Sequence, residues 1–307
     1  MQHDELIRKT RSLLGDVPIV SRFAPAPTGY LHLGHVVSCL YVFGLTRALG
    51  GQVLVRIEDH DRTRARPEFD EAIREDLEWL GLIPDRSPWT GLGEFDPALR
   101  QSHRADVHGA RLAGLARRGL VYRCDCPRSS MTPGNDGELF HQGHCRSRKI
   151  PDDVPHGLRI PMPDRDITFN DLIAGPQSQN PFRQTGDLLA RDRHGCFTYH
   201  FSCAVDDLDQ GVNLVIRGRD LLPSTGRQLA LRELLSAPGS PVFCHHDLLV
   251  DETGRKLGKR FLSTSIRKMR LDGGTPESIL GLAAFLAGKT QHQGPLDLPS
   301  ALDSFMR

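Results

Sequence analysis

The sequence contains no apolar run of about 18 residues, which is the length that a membrane-spanning helix requires. Residues 1–16 are polar and contain no apolar core segment, so we expect no signal peptide. The formal net charge is only +1, which neither indicates nor excludes a nucleic-acid partner. Repeats and low-complexity tracts are also missing. These absences predict an ordinary globular protein of the cytoplasm that does not bind membranes.

The composition is that of a globular chain, with 38% apolar and 25% charged residues, and 307 residues allow about two domains. In the cytoplasm its seven cysteines are expected to stay reduced. Four of them have apolar neighbours in the sequence and are interpreted as core residues: Cys39, Cys196, Cys203 and Cys244.

The most informative stretch covers residues 22–35 and reads RFAPAPTGYLHLGH. Residues 17–20 before it are predicted to form a strand, residues 36–49 a helix, and residues 53–57 a second strand. Strand, turn, helix and strand in this order open a parallel βαβ unit. Ligands bind such sheets where strands end and helices begin, so the turn is the expected site.

His32 and His35 lie three residues apart at the predicted start of the helix, and Gly34 between them has no Cβ. A helix N-terminus offers unpaired N–H groups that suit phosphate. The two imidazoles could therefore contact nucleotide phosphates and stabilise charge in nucleotidyl transfer. The alternative interpretation is a pair of surface histidines at a helix start.

Further candidate binding groups lie at predicted strand ends. Glu58 follows the second strand and could bind an ammonium group, whereas Asp59 and Asp61 suit turns or helix caps. Two more strands are predicted at residues 196–205 and 212–220, and they carry Tyr199 and Arg217. Arg217 could bind a carboxylate through two hydrogen bonds, although arginines at strand ends are usually solvated.

A Cys-x-Cys pair and a His-x-x-x-Cys pair flank a polar loop and supply four ligands of the kind that zinc prefers: Cys124, Cys126, His141 and Cys145. Four protein ligands leave no open position, so the predicted role is structural. His144 competes with His141 for the fourth place. The alternative is three unpaired thiols on a loop.

The remaining segments set the predicted domain organisation. Residues 150–195 are interpreted as a small insertion outside the main sheet, and the Lys-rich loop at residues 254–260 could close over phosphate charge or simply be solvated. We therefore expect residues 17–121 and 196–247 to form two halves of a catalytic domain. Residues 122–195 would form a zinc-bearing insertion, and residues 248–307 the loop and a short helical tail.

Together these motifs resemble those of class I aminoacyl-tRNA synthetases, in the form found in glutamyl enzymes. Residues 22–35 resemble the HIGH signature, residues 56–61 the second block, and residues 256–260 the KMSKS loop, in the correct order across residues 20–261. The resemblance implies an α/β fold with a Rossmann-type parallel sheet. Residues 261–307 are too few for an anticodon-binding domain, so the chain is most similar to the glutamyl-Q tRNA(Asp) synthetases.

That family activates L-glutamate with ATP and Mg²⁺ and attaches it to queuosine in tRNA(Asp). The resemblance implies that glutamate is bound by Arg22, Phe23, Ala24, Pro25, Ala26, Glu58, Tyr199 and Arg217. It implies that ATP is bound by His32, Gly34, His35, Lys256 and Lys259, with His32, His35 and Lys259 as the catalytic groups. Arg22 would hold the glutamate carboxylate and Glu58 its ammonium group. One structural Zn²⁺ and a monomeric chain are also expected.

Three positions depart from the family pattern. Ala26 and Gly258 each replace a serine that the family often carries, and His141 stands where close relatives often have tyrosine. Three other functions stay open: a short glutamyl-tRNA synthetase that charges a tRNA 3′ end, a different nucleotidyltransferase such as a cytidylyltransferase or pantothenate synthetase, and a non-catalytic tRNA-binding relative. The Glu58 block argues against the second, and intact His32, His35 and Lys259 argue against the third.

Overall fold

The computed structural model describes residues 3–133, 139–237, 239–249 and 264–306. The helices are α1 His3–Leu14, α2 Leu33–Ala48, α3 Pro67–Trp79, α4 Ala105–Arg117, α5 Pro181–Thr185, α6 Tyr199–Asp209, α7 Thr225–Leu234, α8 Ile266–Leu271, α9 Pro276–Leu286 and α10 Leu298–Ser304. The strands are β1 Val20–Phe23, β2 Gln52–Val55, β3 Arg86–Ser87, β4 Glu94–Phe95, β5 Tyr122–Cys124, β6 Thr132–Pro133, β7 Leu139–Phe140, β8 Gly157–Ile160, β9 Ile167–Asp171, β10 Gly175–Gln179, β11 Leu188–Arg191, β12 Leu214–Gly218 and β13 Val242–His246. In this part of the chain no helix is long and apolar enough to cross a membrane.

Parallel strands from both halves of the chain form the centre of the protein. β1 pairs in parallel with β2, and β12 pairs in parallel with β13. The two pairs meet where the Asn213 backbone N–H donates to the Val20 carbonyl at 3.1 Å. Strands that are distant in sequence thus end at one common edge, which confirms the predicted α/β fold with a parallel sheet.

Helix α2 is the buried helix that connects β1 to β2. Its apolar residues continue around almost the whole circumference, so it is covered on one side by the sheet and on the other by α9 and α10. Its N-terminus is thereby fixed at the carboxyl edge of the sheet, directly after β1.

Two of the predicted strands are misplaced. The first strand covers Val20–Phe23 rather than residues 17–20, so Arg22 belongs to the strand itself. The predicted strand at residues 196–205 is wrong, because residues 199–209 form helix α6. Aromatic and β-branched residues favour a strand locally, but α6 is buried on most faces between α4, α7 and β11, and this packing decides its conformation.

The insertion contains an antiparallel sheet of β11, β8 and β5. Contrary to expectation, residues 167–179 do not lie outside the main sheet. β9 pairs in parallel with β13 at Phe243 and Asp171, and β10 pairs with the other edge of β9. Buried and exposed residues alternate along β9. The buried face of this strand covers part of the core, which explains why it pairs with the main sheet.

Candidate active site and metal cluster

A cavity of about 350 Å³ opens at the carboxyl ends of β1 and β12, beside the N-terminus of α2. Every predicted glutamate- or ATP-binding residue of the described chain lines this cavity: Arg22, Phe23, Ala24, Pro25, Ala26, His32, Gly34, His35, Glu58, Tyr199 and Arg217. Lys256, Gly258 and Lys259 lie outside the described residues. The parallel sheet thus gathers groups from sequence positions almost 200 residues apart around one space.

The two histidines cap helix α2 reciprocally. The Gly34 backbone N–H donates to Nδ1 of His32 at 3.1 Å, and the His32 backbone N–H donates to Nδ1 of His35 at 3.1 Å. Because Nδ1 accepts in both rings, the proton of each neutral imidazole lies on Nε2. The ring centroids are 3.9 Å apart. Both rings are therefore oriented as hydrogen-bond donors through Nε2.

Burial, with a smaller effect of His32, lowers the pKa of His35 to about 3. His35 is therefore neutral near pH 7 and donates a hydrogen bond without adding a full charge. The N-terminus of α2, a helix of 16 residues, adds its partial positive charge at the same place. This end of the cavity suits phosphate oxygens.

Four buried charged side chains connect β1, β2 and α6 next to the cavity. Asp207 accepts from Nε of Arg22 at 3.1 Å and from Nη1 of Arg56 at 2.6 Å. Arg56 donates in turn to Glu58 at 2.9 Å. Burial raises the pKa of Asp207, but the charges of Arg22 and Arg56 outweigh it and hold the pKa below its ordinary value. Glu58 and Arg22, both predicted ligands of glutamate, are therefore held by one network.

Asp207 and Arg56 are site residues that sequence reasoning missed. Arg56 belongs to the second sequence block, but only the structure shows that it is buried and donates a hydrogen bond to Glu58. Asp207 lies two residues after the segment predicted as a strand at residues 196–205, and it belongs to helix α6. Helical spacing would have placed Tyr199, Cys203 and Asp207 on one face and is the signal that could have identified it.

Arg217 differs from Arg22 because its hydrogen-bond partners are neutral. It donates to Gln228 at 2.8 Å, to Thr225 at 2.9 Å and to Nε2 of His245 at 2.9 Å. In the described part of the chain it forms no ion pair with a carboxylate. A buried cation of this kind, 4% exposed and bordering a cavity, suits an anionic ligand.

Tyr199 is the first residue of α6 and not part of a strand. Tyr199 is partly buried, and the loss of solvent around its hydroxyl raises its pKa, so the phenol is neutral and able to donate. Asp59 and Asp61 act in loops: Asp59 accepts from the Ser102 N–H at 2.7 Å and Asp61 from the Thr63 N–H at 3.1 Å. This confirms the turn role for Asp61.

The chain on either side of residues 250–263 borders the cavity. Leu249 lines it on one side. On the other side Ser265 forms a backbone bridge with His32, and the Ile266 N–H donates to the Leu31 carbonyl at 2.8 Å. Leu249 thus lines the cavity, and Ser265 contacts one of the two histidines.

In the insertion, the four predicted metal ligands converge. The ligand atoms of Cys124, Cys126, His141 and Cys145 all lie within 4.8 Å of one another. Zn–S and Zn–N bonds of about 2.0–2.3 Å place the ligand atoms of a tetrahedral site about 3.5 Å apart, so this donor set fits zinc after a small contraction. His144 lies on the exposed side, with its Nε2 3.0 Å from Sγ of Cys126. His141, 1% exposed, is the better placed of the two histidines.

The ring of His141 is oriented by a second layer of polar groups. Its Nδ1 lies 3.2 Å from the hydroxyl of Tyr122, which donates to Asp187 at 2.6 Å. The Gly143 N–H also points at this nitrogen, at 3.1 Å. Nε2 faces Sγ of Cys124 at 3.3 Å. A histidine that binds zinc through Nε2 usually donates its Nδ1–H to a neighbouring group, and the Tyr122 hydroxyl is within reach of that donor.

The structure has all seven cysteines as free thiols. Cys39, Cys203 and Cys244 are buried core residues, which confirms their interpretation, whereas Cys196 is only partly buried. Cys196 lies in the loop before α6, where one side of the side chain stays accessible.

Comparison with known families gives one match over most of the chain. The family described as tRNA synthetases class I (E and Q), catalytic domain, matches residues 18–293. The matched region contains the cavity, the cluster and helices α2 to α9.

Two relatives named glutamyl-Q tRNA(Asp) synthetase are similar over nearly their whole length. The protein of Nitratidesulfovibrio vulgaris is 40% identical over 284 residues, which cover 88% of this chain and 86% of the relative. The protein of Geobacter sulfurreducens is 36% identical over 266 residues, which cover 84% of this chain and 81% of the relative.

Among solved structures, a glutamate tRNA ligase from Elizabethkingia meningosepticum, in complex with its amino acid, superposes with a TM-score of 0.77 at 27% identity. The superposition covers 93% of this chain and 64% of the ligase. The chain thus spans a little less than two thirds of the length of that ligase.

Proposed function

The chain belongs to the family of class I tRNA synthetases for glutamate and glutamine and is a ligase, and from this premise we propose that it activates L-glutamate with ATP and transfers it to queuosine in tRNA(Asp). One observation carries the activation step. A single cavity is lined by Arg22 and Arg217, by three carboxylates including Glu58, and by a helix N-terminus with two histidine donors.

The charged end fits an amino acid with two carboxylates. Glu58, which Arg56 holds at 2.9 Å, would bind the α-ammonium group, and Asp220 and Asp247 also line the cavity. Arg217 has no carboxylate partner in the described chain, so it would take the side-chain carboxylate of glutamate. Arg22 shares its charge with Asp207 and would contribute an additional donor. Tyr199 and the backbone of residues 23–26 would complete the pocket.

The histidine end would bind ATP, supplied with Mg²⁺. An oxygen of the glutamate α-carboxylate attacks the α-phosphorus of ATP, and the bond to the leaving pyrophosphate breaks, giving glutamyl-adenylate. His32 and His35 would donate to phosphate oxygens through Nε2, and Gly34 would allow the nucleotide to approach the backbone. The protein then acts by positioning and charge stabilisation, with no covalent intermediate on its side chains.

Lys259 would neutralise charge on the departing pyrophosphate, and Lys256 would contact ATP. Support comes from the two neighbouring segments, since Leu249 lines the cavity and Ser265 forms a backbone bridge with His32. Gly258 removes the hydroxyl that the family often has between these lysines.

We further propose that Cys124, Cys126, His141 and Cys145 hold one structural Zn²⁺. Three thiolates and one imidazole would leave no coordination position for substrate. Free thiols at such a cluster require a reducing compartment, so the cytoplasm is the proposed location. Metal content measured on protein purified without chelators tests this site, and a preparation with no zinc would refute it.

The acceptor is proposed from the relatives. Identity to the proteins named glutamyl-Q tRNA(Asp) synthetase reaches 40%, against 27% to the glutamate tRNA ligase. In the second step a hydroxyl of the modified base would attack the acyl carbon, and AMP would leave.

The decisive experiment measures transfer of labelled glutamate, with ATP, to tRNA(Asp) with and without queuosine and to tRNA(Glu). A tRNA(Asp) that lacks its 3′-terminal adenosine distinguishes the base from the 3′ end. Labelling only of queuosine-containing tRNA(Asp), with or without the terminal adenosine, is the expected result. Labelling of tRNA(Glu) would instead indicate a glutamyl-tRNA synthetase that charges a 3′ end.

A further inference from the structure

We propose that Asp171 and His245 are positioning residues: they fix the guanidinium of Arg217 toward the substrate and thereby select glutamate over glutamine. The inference rests on the proposed function, because it takes Arg217 as the group that meets the side-chain carboxylate. Neither residue lines the cavity, and neither belongs to a motif that the sequence singled out.

The chain of contacts begins at the end of β9. Asp171 is completely buried, and its two oxygens accept four hydrogen bonds. Oδ1 accepts from the backbone N–H groups of Ile173 at 2.9 Å and Ala174 at 2.7 Å. Oδ2 accepts from the backbone N–H of His245 at 3.1 Å and lies 2.6 Å from Nδ1 of the same residue. The carboxylate therefore has one fixed orientation.

This orientation determines which nitrogen of His245 carries the proton. A carboxylate oxygen at 2.6 Å from Nδ1 requires an N–H there. Nε2 then has a lone pair, which accepts from Nε of Arg217 at 2.9 Å. If both ring nitrogens of His245 were protonated, its Nε2–H would point at the Nε–H of the Arg217 guanidinium, and two donors would face each other. Burial lowers the pKa of His245 below its ordinary value, although the hydrogen bond to Asp171 acts in the opposite direction.

The guanidinium of Arg217 is thus held on three sides. Nε donates to His245, Nη1 to Gln228 and Nη2 to Thr225, while the side chain also borders the cavity. An arginine has five N–H donors, so one donor on each Nη remains for a ligand. Two parallel donors match the two oxygens of a carboxylate.

The neutrality of the three partners is important for selectivity. A carboxylate partner such as the one that Arg22 has would cancel the charge of Arg217 and favour a neutral substrate. His245 instead orients the guanidinium without neutralising its charge, because the imidazole ring separates the carboxylate of Asp171 from Arg217. Glutamate is then favoured over glutamine, whose amide would place an N–H against one of the two donors.

Two substitutions separate orientation from mere packing. In His245→Asn the short amide can reach Asp171 but leaves the Nε of Arg217 without an acceptor. In His245→Gln the longer amide can place its oxygen near the former Nε2 position. We expect His245→Asn to raise the KM for glutamate about tenfold in ATP–pyrophosphate exchange, with kcat changed less than about threefold. His245→Gln should recover most of this loss.

The preference for glutamate over glutamine is measured in the same assay and should fall about tenfold in His245→Asn. His108→Asn is the matched control, because His108 is also a buried histidine, with Nε2 2.8 Å from Asp206, but in the described chain it forms no hydrogen bond with Arg217. It should lose stability with little change in the KM for glutamate. Equal KM values for His245→Asn, His245→Gln and the wild type would overturn the proposal.

A measurement without substrate separates this inference from the proposed function. The ¹⁵N NMR shifts of the His245 ring in the wild-type protein should show a protonated Nδ1 and an unprotonated Nε2. A proton on Nε2 would refute the positioning role even if the protein activates glutamate. No glutamate-dependent exchange by the wild type, together with the expected ring tautomer, would refute the proposed substrate while leaving the orientation of Arg217 supported.

Discussion

Replacing Asp207 with asparagine should destabilise the fold by about 3 kcal/mol, near the lower end of the cost of breaking a buried ion pair. In the native protein this carboxylate lies between two buried guanidinium groups, 3.1 Å from Arg22 and 2.6 Å from Arg56. Arg56 would keep Glu58 at 2.9 Å and Gln210 at 3.0 Å. Of its contacts within the described ranges, Arg22 would keep only a long one of 3.4 Å to the Ile216 carbonyl.

The magnitude follows from these remaining contacts. The charge of Arg56 is still compensated after the substitution, so the loss should stay well below that of two unpaired buried ions. Arg22 loses the only carboxylate partner that it has among the described residues, and one N–H of the new amide would face a donor. This is the situation in which a buried charge without a partner costs several kcal/mol.

Urea denaturation at pH 7, with bound metal retained, provides the measurement. The transition midpoint should fall while the slope m stays close to that of the wild type. Glu71→Gln is the control, because Glu71 pairs with Arg74 at 2.6 Å on the exposed surface of α3, where such a pair contributes less than about 1 kcal/mol. A loss of less than about 1 kcal/mol in Asp207→Asn, no greater than in the control, would refute the proposed dependence of Arg22 and Arg56 on this carboxylate.

Three further predictions concern the loop, the cluster and a buried acid. Lys259→Ala should slow glutamate-dependent pyrophosphate exchange by an order of magnitude or more, and unchanged exchange would contradict its assigned role. Gly186→Ala should reduce bound zinc, because the added Cβ would lie 1.9 Å from the carbonyl oxygen of His141. Gly175→Ala is the control, because there is open space around that position. Equal metal content in the two variants would count against the cluster geometry. Burial raises the pKa of Asp76 to about 7, above its value in the unfolded chain, so wild-type stability should fall as the pH rises from about 4 to 7. Asp76→Asn should lack that decline in urea unfolding at pH 5 and 8, and parallel profiles would exclude the effect.

The accuracy of the sequence-based predictions varied with how local the signal was. Helix α2 and its cap were predictable because Gly34 and the two histidines form their contacts within three residues. The convergence of Cys124, Cys126, His141 and Cys145 was predictable because zinc prefers these donors at the two ends of a short loop. Between His141 and His144 the sequence could not decide, since only the fold buries one ring and exposes the other.

Helix α6 shows where local signals fail. Its first residues favour a strand, yet tertiary packing makes them a helix and thereby places Tyr199 and Asp207 on the side of the cavity. The pairing of β9 with β13 was missed for the same reason, because strand partners far apart in the chain leave no mark on either strand alone.

The sequence by itself determined the chemistry available to this protein: the HxGH turn, the acidic second block, the Cys/His ligands and the α/β class. These features depend on residue type and short spacing, which local stereochemistry fixes. Only the tertiary structure decided which charges are shared. Asp207 joins Arg22 to Arg56, and Asp171 orients Arg217 through His245, by contacts between residues 28 to 185 positions apart that only folding can bring together. Burial then makes each of these contacts specific, since a buried charge without a partner is costly.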